Sequence, residues 1–492
     1  MGAEGNASMF VKQFVYEGLG NTTHLVGAQE TGVAAVVDPQ RDVDLYVDAA
    51  RSLGVRISHI FETHIHNDFV TGSRELAALT GARIGASAEG GLEFEHLPLR
   101  EGDEVAVGSV KFRVLATPGH TPEHVSYLAW DADTPERPAA LFSGGSLLVG
   151  SVSRTDLLGH EHAAGLARDL YRSLHEKILV LPDEVAVYPT HGAGSFCTAA
   201  PGAERSTTIG RERRQNPLLR MPSVERFVAE VLRIMPSYPT YFKHMRALNR
   251  RGPRVLARLP ELAPLSPQDV LSRQRQGEAV VDVRPAVEYV AGHIPGVYQV
   301  ALRPAFASWV GWVVPFGTPV VVVSSGTEVH EEVVRQLIRV GYDDLSGYLA
   351  GGMAAWERAG LPVARFGVVN VEELRQRLRR GEPLVVLDVR QDAEWEAGHV
   401  PGAIHVEGGR LAEQGLTLPK DRPIATHCGH EERSATGLSI LERLGFRDLL
   451  LVRGGWEAWE RAGLPVERPP RGKAGVAGAE RPEQRPRARR RS

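Results

Sequence analysis

Cysteine is nearly missing from this chain. Cys197 and Cys428 are its only two in 492 residues. Two thiols so far apart build no disulfide framework, no Cys-rich zinc site and no iron–sulfur cluster. Free thiols suit a reducing cytoplasm, the compartment expected for the protein. An excess of charge of one sign is also lacking: 57 Lys and Arg face 60 Asp and Glu, a net charge of −3. That balance predicts no nucleic-acid partner. No apolar run approaches the roughly 18–20 residues needed to cross a bilayer, so no membrane role is expected. The opening MGAEGNASMFVKQF shows no basic region ahead of an apolar core, which predicts no secretory signal.

What is present reads as globular. Hydrophobic residues make up 42% and charged residues 24%, ordinary proportions for a folded protein. The length suggests about three units. Residues 1–204 alternate strands with helices. VGAQETGVAAVVDP (Val26 to Pro39) predicts a hairpin closed by Glu30, Thr31 and Gly32. VDLYVDAARSLG (Val43 to Gly54) predicts an amphipathic helix with a glycine stop. A helix from about Gly72 to Thr80 and a hairpin turning near Gly108 are expected further on.

The chemistry gathers in FETHIHNDFVTG, Phe61 to Gly72. Side chains at i, i+2 and i+4 of an extended segment share a face, so His64, His66 and Asp68 are expected in one cleft. His120 in TPGHTPEHVSY and His191 in VAVYPTHGAGSFC each follow a strand. Histidines at three separate strand ends suit a metal site on one rim of a sheet sandwich. For His24, His96, His160, His162 and His175 the plain reading of core or surface residues is preferred, and Cys197 is read as structural.

Residues 205–262 change character to a helical appendage with a Pro break. Tyr238, Tyr241 and Phe242 there either pack the appendage to the first domain or line a substrate mouth. An internal repeat follows. DVRPAVEYVAGHIPG (Asp282 to Gly296) returns as DVRQDAEWEAGHVPG (Asp388 to Gly402), and GGMAAWERAGLPV returns as GGWEAWERAGLPV. The offset is 106 at the front and 103 at the back, so the first copy carries a three-residue excess. Each copy alternates strand and helix, hence a small parallel α/β domain, at 263–366 and 367–469. In the second copy the strand RPIATH ends at Cys428, and CGHEERS places Arg433 five residues on. A thiolate at a helix N-terminus beside an Arg suits a carrier of sulfane sulfur. The first copy has Ser325 and His330 at these places. A serine hydroxyl carries no sulfane sulfur, so this copy is expected to be a silent spacer or docking module. Residues 470–492, rich in Pro, Arg and Gly, are expected to be a disordered basic tail.

HxHxD, TPGH, SRTDL (Ser153 to Leu157) and PTHGAGSFC resemble the glyoxalase II branch of the metallo-β-lactamase fold, and within it the persulfide dioxygenases. The DVR, GHIPG/GHVPG and GG-x-x-AW motifs resemble rhodanese. The resemblance implies an αββα sandwich followed by two rhodanese-like parallel-sheet domains, an α/β multidomain protein. It carries metal ligation to His64, His66 and His120, with Asp68 and His191 in reach. The sequence departs from the family at two places: Phe69 stands for the last His of HxHxDH, and Gly145 in LFSGGS stands for the metal-binding Asp. One metal ion is therefore expected, Fe(II) ahead of Zn(II), in place of a binuclear pair. The activity implied is oxidation of a low-molecular-weight persulfide, such as glutathione persulfide, to sulfite with O2, coupled to sulfur transfer through Cys428 with Arg433. Arg154 in SRTDL is the candidate contact for a substrate carboxylate. The partner implied is a small thiol or persulfide, and a homodimer is left open. Two other readings stay open: a glyoxalase II-like thioester metallohydrolase, and a sulfur-relay protein with a degenerate metal domain.

Overall fold

The computed structural model describes residues 9–131, 137–197 and 204–468; the basic tail lies outside them. Two six-stranded sheets stack face to face. The first follows chain order: Phe10–Tyr16, Asn21–Ala28, Val33–Val37, Arg56–Phe61, Arg83–Ser87 and Leu97–Leu99. Its first three strands run antiparallel and the rest parallel. The second sheet runs through Glu104–Val107, Val110–Ala116, Val125–Trp130, Ala140–Gly144, Ala186–Pro189 and Thr207–Thr208.

Period-2 alternation of apolar residues gives each sheet an inner face. Val26, Val37, Phe61, Phe112, Tyr127 and Phe142 fill the space between the sheets. Helices Val43–Ser52 and Ser73–Thr80 bury Tyr46, Ala50 and Leu76 on one outer face. His160–Arg172 and Val224–Ile234 bury Leu170, Phe227 and Val231 on the other. The layers are therefore αββα. The expected hairpin is present, closed by a one-turn helix at Gln29–Thr31 and by Gly32 at φ 64°. Gly108, at φ 63°, turns the second hairpin.

The repeat forms two five-stranded parallel sheets of one topology. The first orders Pro264–Leu265, Leu345–Leu349, Val320–Val323, Ala279–Asp282 and Tyr298–Gln299. The second orders Gly367–Val369, Leu449–Val452, Ile424–His427, Val385–Asp388 and Ile404–His405.

The first copy sits between the sandwich and the second copy. Its helix Phe306–Val313, FASWVGWV, is buried at every residue. Gly311 lies so close to Tyr241 of the appendage that a Cβ there would fall 2.2 Å from the Tyr241 ring. The Gly311 carbonyl accepts from the Tyr241 N–H at 3.2 Å. Trp312 meets Phe196 edge-on at 5.2 Å between ring centres. On the far side a Cβ on Gly409 would fall 1.8 Å from the Trp312 indole. Ion pairs Arg339–Asp42 and Arg335–Asp44 join the sandwich to the first copy. Among the described residues, no hydrogen bond or ion pair joins the second copy to the sandwich.

Candidate functional site

The strand Arg56–Phe61 ends before the histidine motif begins. His64, His66 and Asp68 lie in the loop beyond the sheet rim, so loop geometry, not strand alternation, brings them together. Asn249 holds this loop by donating to the carbonyls of His66 and Phe69, both at 2.8 Å. The Tyr241 hydroxyl holds it by donating to the Asp68 carbonyl.

His64, His66, Asp68, His120 and His191 converge and are all buried. Ring centres of His64 lie 4.2 Å from His66, 4.7 Å from His120 and 5.3 Å from His191. Ligand atoms of His64, His120 and His191 fall within 4.8 Å of one another, as do those of His66, Asp68 and His191.

Hydrogen bonds at the back of each ring set the tautomers. Thr63 Oγ1 donates to Asp38 Oδ2 at 2.7 Å and therefore accepts from His64 Nδ1 at 2.8 Å. His120 Nδ1 donates to the Arg154 carbonyl at 2.8 Å. His191 Nδ1 faces Asn21 Oδ1 and Asp68 Oδ2, both at 3.2 Å. His66 Nε2 faces Glu62 Oε2 at 3.0 Å and Asp38 Oδ1 at 3.2 Å. Four ring nitrogens are left facing inward. His66 Nδ1 and His120 Nε2 have no partner, and neither does Asp68 Oδ1. His64 Nε2 and His191 Nε2 face each other at 3.4 Å. Two acceptor nitrogens at that range repel unless a cation lies between them. The residues present therefore fit a metal ion.

Burial, and after it the neighbouring imidazoles, hold His64 well below the ordinary histidine range. Burial and then His191 do the same to His120. Neutral imidazole is the ligating form. Burial alone would raise the Asp68 carboxyl, but His191, His66 and the Asn21 amide together hold it at about 2.

Both departures from the family pattern have a steric account. A Cβ on Gly145 would fall 2.4 Å from His120 Cδ2, so the His120 ring occupies the space an Asp would need. Phe69 is fully buried and stacks on His66 at 4.1 Å. Beside the cluster is a narrow cleft with about 20 Å³ of free volume, lined by Glu62, His64, His66, Phe94 and Glu123.

Arg154 is 1% exposed. Its guanidinium pairs with Asp156 at 2.7 Å, donates to the carbonyls of Phe196 and Pro236, and lies over the Tyr238 ring. The structure places it behind His120 and gives it no open face. Tyr238 and the buried Tyr241 and Phe242 pack the appendage to the first domain.

Sequence reasoning missed Asp38, Glu62 and His124. Asp38 holds φ 51° and binds Thr63, Thr190 and His66. Glu62 accepts from Thr71 and Ser73 while orienting His66. His124 Nε2 accepts the Gly145 N–H at 2.9 Å. The available signals were an Asp-Pro closing a strand and an acid next to the histidine motif.

The second site is simpler. Strand Ile424–His427 delivers Cys428, and the helix Glu432–Arg443 starts four residues later. Cys428 is 1% exposed. Its carbonyl accepts from the Trp456 N–H at 2.7 Å. That approach requires Gly455, at φ 53°, where a Cβ would fall 2.4 Å from the same oxygen. The repeated GG thus docks the last helix on the cysteine loop. Arg433 sits on this helix and pairs with Glu394 at 2.8 Å. In the first copy the strand Val320–Val323 pairs as Ile424–His427 does, so Ser324, not the expected Ser325, takes the place of Cys428. Its Oγ meets His330 Nε2 at 2.9 Å, and Ser325 Oγ donates to Glu288.

The Rhodanese-like domain family matches residues 266–359 and 370–462. Human "Persulfide dioxygenase ETHE1, mitochondrial" is 32% identical over 212 residues, 42% of this chain and 74% of that protein. A hydroxyacylglutathione hydrolase of Rhodospirillum rubrum is 36% identical over 176 residues, 35% of this chain and 62% of that one. The solved structure of a metallo-β-lactamase from Staphylococcus aureus is 30% identical, with a TM-score of 0.63, and covers 69% of this chain and 98% of its own. With this fold, this histidine cluster and these relatives, the chain belongs to the metallo-β-lactamase-fold proteins of the persulfide dioxygenase and glyoxalase II branch, fused to two rhodanese-like domains.

Proposed function

We propose that the protein oxidises a low-molecular-weight persulfide to sulfite at the histidine cluster and moves sulfane sulfur through Cys428. The observation that carries the first half is the pair of inward nitrogens on His64 and His191, 3.4 Å apart with no proton donor between them. His64, His120 and His191 would hold one metal ion through Nε2, with His66 Nδ1 and Asp68 Oδ1 in reach. Fe(II) is favoured because the set offers a carboxylate beside histidines. When bound, such an ion supplies activation of O2. The balance is R–S–SH + O2 + H2O giving R–SH, sulfite and two protons.

The residues of the chain hold and orient. Thr63, Asn21 and the Arg154 carbonyl fix the rings by their outer nitrogens. Phe69 and Tyr241 exclude water from the back of the loop. At the second site, the Cys428 thiolate attacks the terminal sulfur of R–S–SH, the S–S bond breaks, and R–S⁻ leaves with the electron pair. Cys428–S–SH remains.

One observation favours a second reading. Gly145 leaves the cluster without the family's carboxylate, which suits a relay protein whose sulfur chemistry is all at Cys428. The test is metal content and O2 uptake on glutathione persulfide, after anaerobic purification with Fe(II). About one iron per chain, with O2 uptake lost in His64→Ala and kept in Cys428→Ser, is the expected result. Absence of metal with Cys428-dependent transfer intact would establish the relay. Zinc without O2 uptake would favour the hydrolase, which turnover of a glutathione thioester would then establish.

A further inference from the structure

The first copy lost its nucleophile and kept its pocket. A cleft of about 450 Å³ lies beside the loop where a rhodanese nucleophile would work, lined by Arg284, Arg303, Ser325 and Glu328. Its remaining wall comes from the other copy: Glu431 and Glu432, from the loop that carries Cys428. The cleft is therefore built mainly by the silent copy, and two acids of the cysteine loop close one side.

The arginines around it are committed, with one exception. Arg284 pairs with Asp282, Arg390 with Asp388 and Arg433 with Glu394. Arg303 is different. Its carbonyl accepts from Phe306 N–H and from Gln336, so its backbone is fixed. Its guanidinium, partly buried over the Trp309 ring at 5.9 Å, takes part in no hydrogen bond or ion pair among the described residues. Burial pushes its proton affinity down; Glu432 opposes that shift, Arg433 adds to it, and Cys428 opposes it more weakly. A cation held out of water without a partner is costly unless an anion completes it.

We propose that this cleft binds the acidic end of the donor that delivers sulfur to Cys428, and that Arg303 of the silent copy holds its carboxylate. The inference rests on the reading of Cys428 as the sulfur carrier. Ser324, in the nucleophile's place, and the neighbouring Ser325 then supply no competing thiolate. Among the described residues, the Arg303 guanidinium is the cation of this lining without an acidic partner, and it works against Glu328, Glu431 and Glu432, which repel an anionic donor. The sulfur step is R–S–SH plus the Cys428 thiolate, giving R–S⁻ and Cys428–S–SH. Cyanide then takes the outer sulfur as thiocyanate and returns Cys428 as a thiol.

The test uses the full chain without O2, so that oxidation is silent. Glutathione persulfide is the charged donor, benzyl persulfide the uncharged one, and thiocyanate the readout. Loss of one charge-assisted contact predicts a KM for glutathione persulfide raised about tenfold or more in Arg303→Gln. Little change is expected in kcat, in the melting temperature, or in KM for benzyl persulfide. Arg303→Lys should fall between. An unchanged KM overturns the proposal, and so does an equal rise for both donors or a lowered melting temperature, which mark Arg303 as structural. Cys428→Ser separates the two claims. Protein-dependent thiocyanate formation that survives it, above the direct reaction of cyanide with the persulfide, brings down the carrier reading itself. Its loss there, with an unaltered KM in Arg303→Gln, removes only the role of Arg303.

Discussion

Two nitrogen lone pairs 3.4 Å apart in a dry site repel, and the His64–His191 pair is kept in that position by bonds behind each ring. His24 shows a different way to bury an imidazole. It lies in the strand Asn21–Ala28 with edges against Phe142 and Tyr188, and neither ring nitrogen has a partner. Burial pushes it down from 6.5 to about 4. The unfolded chain therefore takes up this proton first as pH falls. The contribution of neutral His24 to stability is complete above pH 6.5 and drains away toward pH 4, by roughly 3 kcal/mol. His24→Leu should lose correspondingly less stability than the parent between pH 7.5 and 4.5 in urea unfolding. Equal losses in the two proteins would refute this assignment. Much at this scale was legible. His64, His66, Asp68, His120 and His191 stand out because their spacing and flanking strands are local in sequence. Asp38 and Glu62 were not, because a single carboxylate reveals its role only when folding brings a ring against it.

The helix Phe306–Val313 illustrates what an element can carry. It is hydrophobic on every side, but nothing local in the sequence says that three domains bury it. The repeat supplies a partial clue. Paired strands Ala279 and Val320 have counterparts at Val385 and Ile424, so the offset drops from 106 to 104 across the segment holding this helix. Most of the first copy's excess is therefore spent on it. Gly311→Ala places a methyl group against the Tyr241 ring. Overpacking of this kind costs about 1–3 kcal/mol. Because the Tyr241 hydroxyl holds the Asp68 carbonyl, the variant should also release bound metal faster to a chelator. A lowered melting temperature with an unaltered metal off-rate would break that link between helix and loop. The β-hairpins and the helices Val43–Ser52 and Ser73–Thr80 were legible for the opposite reason: their periodicity and glycine stops are complete within a dozen residues.

At the scale of the whole molecule, the first copy acts as a strut between the sandwich and the second copy. It covers Phe69, Val70, Tyr241 and Phe242, which join its own valines in one continuous core. Arg339 and Arg335 pair with Asp42 and Asp44 at the rim of that contact. Exposing a face of this kind invites association. A chain ending at residue 262 should therefore aggregate or retain less metal than the full protein, as read by size exclusion and metal analysis. A monomeric fragment with full metal content would show that the sandwich is independent of the strut.

The Val70 N–H donates to the carbonyl of Arg339 at 2.7 Å. One partner of that bond is synthesised roughly 270 residues after the other, and translation at about 5–20 residues per second makes the interval roughly 10–60 s. Through that interval the histidine loop is on the ribosome without the segment that pins it. The moment at which the loop is first pinned is thus set by a segment of the next domain, and a pause placed before residue 339 would lengthen the time the histidine cluster spends unfinished.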